Sequence, residues 1–117
     1  MLRRPAPREP SALLGLQVRE WQRFAAGFAH GEGGLDLYFH ALGERDRWQR
    51  DLARMPRDAA VAISKALAVG DRAFSAATAP DELGLLQRWI RPELLAGSWW
   101  WSRVPAHGPL LDALFRY

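Results

Sequence analysis

Apolar residues in this chain return every three or four positions, a spacing that only an α-helix gathers into one continuous face. Leu14, Val18, Trp21, Ala25 and Phe28 follow one another at intervals of 4, 3, 4 and 3, and Phe24 widens the stripe. Ser11, directly after Pro10, suits the start of this segment, because its hydroxyl oxygen can accept from an early backbone N–H. Gly31, Gly33 and Gly34 around Glu32 suit its end, since glycine takes up the left-handed conformation of a helix stop at no steric cost. A glycine cluster can also cradle phosphate. HGEGG has no phosphate-loop spacing, however, and it follows a helix rather than a strand, so it reads as a turn.

From Leu35 two periods compete. Leu35, Leu37, Phe39 and Ala41 alternate as a strand would, whereas Tyr38, Leu42, Trp48, Leu52 and Met55 keep helical spacing over some twenty residues. The length of the second pattern favours a helix, with Gly43 as a point of bending and Met55-Pro56 as its end. After Asp58, the stripe Ile63, Ala66, Leu67, Gly70, Phe74 and Ala77 predicts a third helix whose small residues admit a close neighbour. Residues 76–95 then carry the sharpest helix-start signal. Thr78 offers a capping oxygen, Pro80 has no N–H to leave unpaired in a first turn, and Asp81 and Glu82 put negative charge at the positive end of the helix dipole. Leu83, Leu86, Ile90 and Leu94 would form its apolar face, and Pro92 would end or kink it with a restart at Pro92-Glu93. A turn at Val104, Pro105 and Gly108 and a short amphipathic end over 109–117 complete an all-α outline: four to five amphipathic helices in a small helical bundle.

Residues 1–10 hold three prolines and three arginines and cannot bury apolar surface, which makes them a flexible basic arm ahead of a single helical domain over 11–117. At 117 residues and 49% hydrophobic content the chain suffices for one modest core. It contains no cysteine, which excludes disulfides, thiolate nucleophiles and cysteine-rich zinc sites and fits a cytoplasmic location. The formal charge is +3. Acidic residues are interleaved with the arginines, so no basic stripe of the nucleic-acid-binding kind stands out. No apolar run approaches a membrane span, and MLRR-PAPREP is not a secretory signal.

Motifs of chemistry are sparse. His40 and Glu44 stand one helical turn apart, but with no HExxH and only the distant His30 and His107 to assist, the reading is no metal. Ser11, Ser64, Ser75, Ser98 and Ser102 lie in no GxSxG elbow. No cofactor is implied. The segments 42–50 and 83–91 share five of nine positions, yet two copies do not make a repeat fold. Trp followed two residues later by Arg occurs at Trp21, Trp48, Trp89 and Trp101, which reads as Trp at the edge of a buried face beside a solvated Arg. Trp99, Trp100 and Trp101 are the least ordinary feature. Consecutive side chains diverge on a helix or strand, so three indoles cannot all enter one core. At least one should face outward, and its central place in the run points to Trp100. Trp89, Trp99, Trp100, Trp101 and Arg103 are the candidate partner-binding residues, since Trp and Arg are enriched at binding hot spots.

Thr78, Pro80, Glu82, Leu83, Leu86, Gln87 and Trp89, following the alanine-rich RDRWQRDLARMPRDAAVAISKALAVGDRAFSA, give residues 45–95 an order that resembles the phasins, small helical proteins that coat polyhydroxyalkanoate granules. The triple Trp, the Pro105 to Gly108 turn, the glycine cluster and the basic arm lie outside that pattern. The resemblance implies a non-enzymatic protein that adsorbs to an apolar polymer or lipid-like surface through amphipathic helices and forms homo-oligomers. A helical adaptor or inhibitor that binds one partner protein is the alternative from the residues themselves, and a nucleic-acid binder is the least favoured.

Overall fold

Three long helices carry the apolar stripes: α1 (Pro10–Gly27), α2 (Leu35–Leu52) and α3 (Arg57–Ala77). The computed structural model describes residues 10–28 and 34–116, with side chains from Gln17 onward in α1. The basic arm short of Pro10, and the glycine turn short of Gly34, lie outside these residues. The competing periods after Leu35 resolve to helix, and α2 runs unbroken through Gly43. Val18, Trp21 and Ala25 of α1 with Phe28 just past its end, Tyr38, Leu42 and Trp48 of α2, and Ile63, Leu67 and Phe74 of α3 form the main core, as their spacing predicts.

α1 packs chiefly on α3 and far less on α2. The close approach depends on Gly70, because a Cβ there would stand 2.6 Å from Nε1 of Trp21. The neighbouring Asp71 then accepts that indole N–H at 3.0 Å. A buried Trp needs such an acceptor, and here the residue that makes room and the residue that bonds are adjacent.

The expected helix start at 78–82 is not formed. Thr78–Pro80 is instead a short strand, β1, paired antiparallel with β2 (Arg103–Pro105) in the register Thr78 with Pro105, Ala79 with Val104 and Pro80 with Arg103. Asp81 N donates to Ser102 O at 2.8 Å and Ala106 N to Ala77 O at 3.0 Å, which extend the ribbon at both ends. Thr78 Oγ1 turns back and donates to Phe74 O at 2.7 Å, closing α3 rather than opening a new helix. Gly84 then adopts φ 65°, a left-handed conformation that stops any helix passing through it. The capping role falls to Asp81 rather than Thr78, and for a shorter element. Both carboxylate oxygens of Asp81 accept backbone N–H groups, from Leu85 at 2.8 Å and Leu86 at 3.0 Å, and so start the single 3-10 turn Leu85–Arg88. The break and restart at Pro92 are as expected, in the one-turn α4 (Pro92–Leu95). The supposed apolar face is dispersed: Leu86 is buried, whereas Leu83 is 72% exposed.

After a second 3-10 turn, Trp99–Ser102, and β2, α5 (Pro109–Arg116) closes a small satellite core of Leu86, Val104 and Leu114. Arg103 ties the ribbon to the end of α3, where helix carbonyls lack partners. Its guanidinium donates to Thr78 Oγ1 at 2.7 Å, Thr78 O at 2.9 Å and Ser75 O at 3.1 Å, a cation at the negative end of the helix dipole. The Arg103 carbonyl accepts from Tyr38 Oη at 2.9 Å. Burial pushes the Tyr38 phenol far above its ordinary range, with Arg103 offsetting only part of the effect, so the group stays a donor.

Candidate functional site

Of the five residues with the strongest sequence claim to a binding surface, two are buried and one is engaged within the fold. Trp100 is only 2% exposed, and Trp101 is buried beside it. The reason is a single carboxylate on α2: Asp46 Oδ1 accepts Trp100 Nε1 at 2.8 Å, and Asp46 Oδ2 accepts Trp101 Nε1 at 2.7 Å. Trp100 and Trp101 leave the 3-10 turn about 120° apart, and each indole N–H meets a different oxygen of the one carboxylate. Trp99 is the outward member, at 42% exposure, resting on Phe74 at 5.9 Å and edge-on to Trp100 at 5.6 Å. Trp89 is also exposed and tilts over Phe39 at 5.8 Å. Arg103 serves as the α3 cap described above. Trp100→Ala is therefore expected to lower stability by roughly 3–5 kcal/mol, and Trp99→Ala by about 1–2 kcal/mol. Equal losses in urea unfolding would contradict this assignment.

Beside Asp46, Arg45 lies buried at 4% exposure and forms a bidentate pair with Asp71, Nε to Oδ1 at 2.9 Å and Nη2 to Oδ2 at 2.8 Å. Its Nη1 donates to Gln49 Oε1 at 3.0 Å, and its guanidinium carbon lies 4.3 Å from the centroid of the Trp100 ring. Arg45 and Asp46 thus link α2 to α3 on one side and to the Trp run on the other. Buried indoles signal that acceptors must exist somewhere, but nothing along the chain singles out Asp46 and Asp71.

Among the described residues, a groove of about 420 Å³ opens between α1 and α2. Gln17, Glu20, Trp21, Phe24, Gly27 and Phe28 form one wall, and Leu37, His40, Ala41, Glu44 and Trp48 the other, with Arg23 at the edge. Each set recurs at helical spacing, so one face of each helix fronts the gap. The space exists because α1 leans on α3 and because Gly27 and Ala41 put little bulk into it. Its floor is aromatic. Trp21 stacks on Phe24 at 5.8 Å, Phe24 on Phe28 at 5.0 Å, and Trp48 meets Trp21 edge-on at 6.3 Å. Trp48 Nε1 donates to Gln17 Oε1 at 3.0 Å, which ties the two walls at one end.

The rim is charged with both signs. Glu20 pairs with Arg23 at 3.5 Å, His40 Nε2 lies 3.8 Å from Glu44 Oε1, and the other Glu44 oxygen takes Arg47. Among the described residues no three histidine or carboxylate groups converge as a metal site, and no helix is long and apolar enough to cross a membrane. Comparison with protein families, curated proteins and solved structures found no match.

Proposed function

We propose that this protein is a non-catalytic helical binding module whose α1–α2 groove receives the apolar face of a short amphipathic helix from a partner protein. The observation that carries this reading is the groove itself: a stack of aromatic rings at the base, charges of both signs at the rim, and a volume of about 420 Å³. Its α1 wall runs from Gln17 to Phe28, about three helical turns. That length matches the i, i+3/i+4, i+7 anchors by which a helix docks into a groove. Aromatic anchors surrounded by a polar rim are also the usual anatomy of binding hot spots.

The test is fluorescence anisotropy of a labelled amphipathic helical peptide bearing leucine at those three anchor positions. Leu37 is exposed at the mouth of the groove, so Leu37→Glu is expected to weaken binding roughly tenfold or more with the urea midpoint unchanged. Trp99→Ala should leave binding as it was. The reverse pattern would move the site to the Trp run.

A second reading, adsorption to an apolar polymer such as a polyhydroxyalkanoate granule, is favoured by the exposure of Leu83, Trp89, Trp99 and Phe115. It predicts binding to polymer particles that is insensitive to salt and survives Leu37→Glu. Steep weakening with salt would instead indicate phosphate contacts, and so nucleic acid.

A further inference from the structure

α3 buries Ile63, Leu67, Gly70 and Phe74 on one side. On the other it exposes Asp58, Val61, Ala62, Lys65, Val69, Arg72 and Ala76. At 100° per residue these seven fall in a single stripe along the helix. Val61 and Val69 are the large apolar members, each 48% exposed. Among the described residues, Asp58, Lys65 and Arg72 have no ion-pair partner. The stripe belongs to no part of the α1–α2 groove.

Its pattern is complementary to its own reverse. Val61 and Val69 stand four residues on either side of Lys65, and Asp58 and Arg72 stand seven residues on either side. Laying a second copy of α3 antiparallel across the first, with the two-fold axis beside Lys65, therefore sets Val61 against the partner's Val69. The same register sets Asp58 against the partner's Arg72, and symmetry makes each contact twice. A parallel pair in register keeps valine against valine but sets Asp58 against Asp58 and Arg72 against Arg72, and an antiparallel pair displaced by a single turn loses both matches. The small side chains of Ala62 and Ala76 leave the helices free to approach. Only the two Lys65 side chains face a like charge, and their flexible stems let the ammonium groups turn out to water.

We infer that the outer face of α3 is the contact surface of an antiparallel, two-fold homodimer of this chain, in which valines supply the apolar centre and Asp58–Arg72 pairs fix direction and register. The surface is narrow and the ion pairs are peripheral, so the dimer is weak and reversible. Charges at such positions decide register and specificity more than affinity.

The experiment is sedimentation equilibrium of the full chain up to about 1 mM, a range that captures weak association, on wild type, Asp58→Arg, Arg72→Asp and the double variant. Each single variant sets two like-charged pairs in place of two attractive ones and is expected to weaken self-association about tenfold or more. The double variant restores opposite charges in reversed order and is expected to return to within about threefold of wild type. Both sites are solvent-exposed, so helix content should stay constant, and only a slight fall in urea midpoint is expected for Asp58→Arg, which puts a cation in the first turn of α3. A wild-type chain that remains monomeric throughout overturns the inference, as does a double variant that associates no better than the singles. Single variants that self-associate like wild type overturn it too.

Discussion

Replacing Asp71 with alanine is expected to destabilise the protein by about 3 kcal/mol or more, a large fraction of the roughly 5–15 kcal/mol that holds a domain folded. The Asp71 carboxylate accepts Nε and Nη2 of Arg45 and the indole N–H of Trp21. Without it the Arg45 guanidinium remains inside, stacked on Trp100, with only Gln49 to bond. An uncompensated buried charge is far worse than none. Removing both partners, as in Arg45→Met with Asp71→Leu, should accordingly recover the part of the loss that comes from the unpaired guanidinium, because an apolar pair of similar volume has no charge to desolvate, while the Trp21 N–H still lacks its acceptor. Urea unfolding of the two single variants and the double variant reads this directly. An Asp71→Ala midpoint close to wild type, or a double variant worse than both singles, would contradict the role given to the pair.

The second large effect belongs to Asp46. Asp46→Ala leaves the N–H groups of Trp100 and Trp101 buried with no acceptor, at about 1–3 kcal/mol each. Asp46→Asn is nearly the same shape, but it offers one carbonyl oxygen and turns an NH2 donor toward the second indole. The expected order of stability is wild type, then asparagine, then alanine. Asparagine equal to wild type would show that only one of the two bonds matters. The near-ultraviolet circular dichroism of the Trp run should weaken in the same order.

The helices that bury their stripes against one another were legible along the chain, and those that answer to distant residues were not. α1, α2 and α3 follow from Trp21, Leu42, Leu67 and Phe74 recurring on one face each, and Gly70 reads as a point of close approach. The segment from Thr78 misleads because Thr, Pro, Asp and Glu favour a helix start locally, while the decisive contacts lie with Ser102 to Ala106, more than twenty residues on. Gly84 was the local sign of a break. The Trp run follows the same logic. Geometry alone requires that the three indoles separate, but the choice of Trp99 as the outward ring is made by Asp46, more than fifty residues away. The groove had one sign in the sequence: Phe24, which widens the α1 stripe beyond what a single neighbouring helix can cover. Its depth depends on how α1 and α2 are set apart by α3, which no periodicity encodes.

The most direct measurement of the groove as a binding site is a two-dimensional nitrogen–proton spectrum of the indole groups during titration with the amphipathic helical peptide. Six tryptophans give six indole signals. Trp21 and Trp48 line the groove, and their signals are expected to shift together and saturate at one equivalent, while those of Trp100 and Trp101, held on Asp46, stay in place. Shifts confined to Trp89 and Trp99, with Trp21 and Trp48 unmoved, would contradict the groove as the site and place binding on the exposed rings instead.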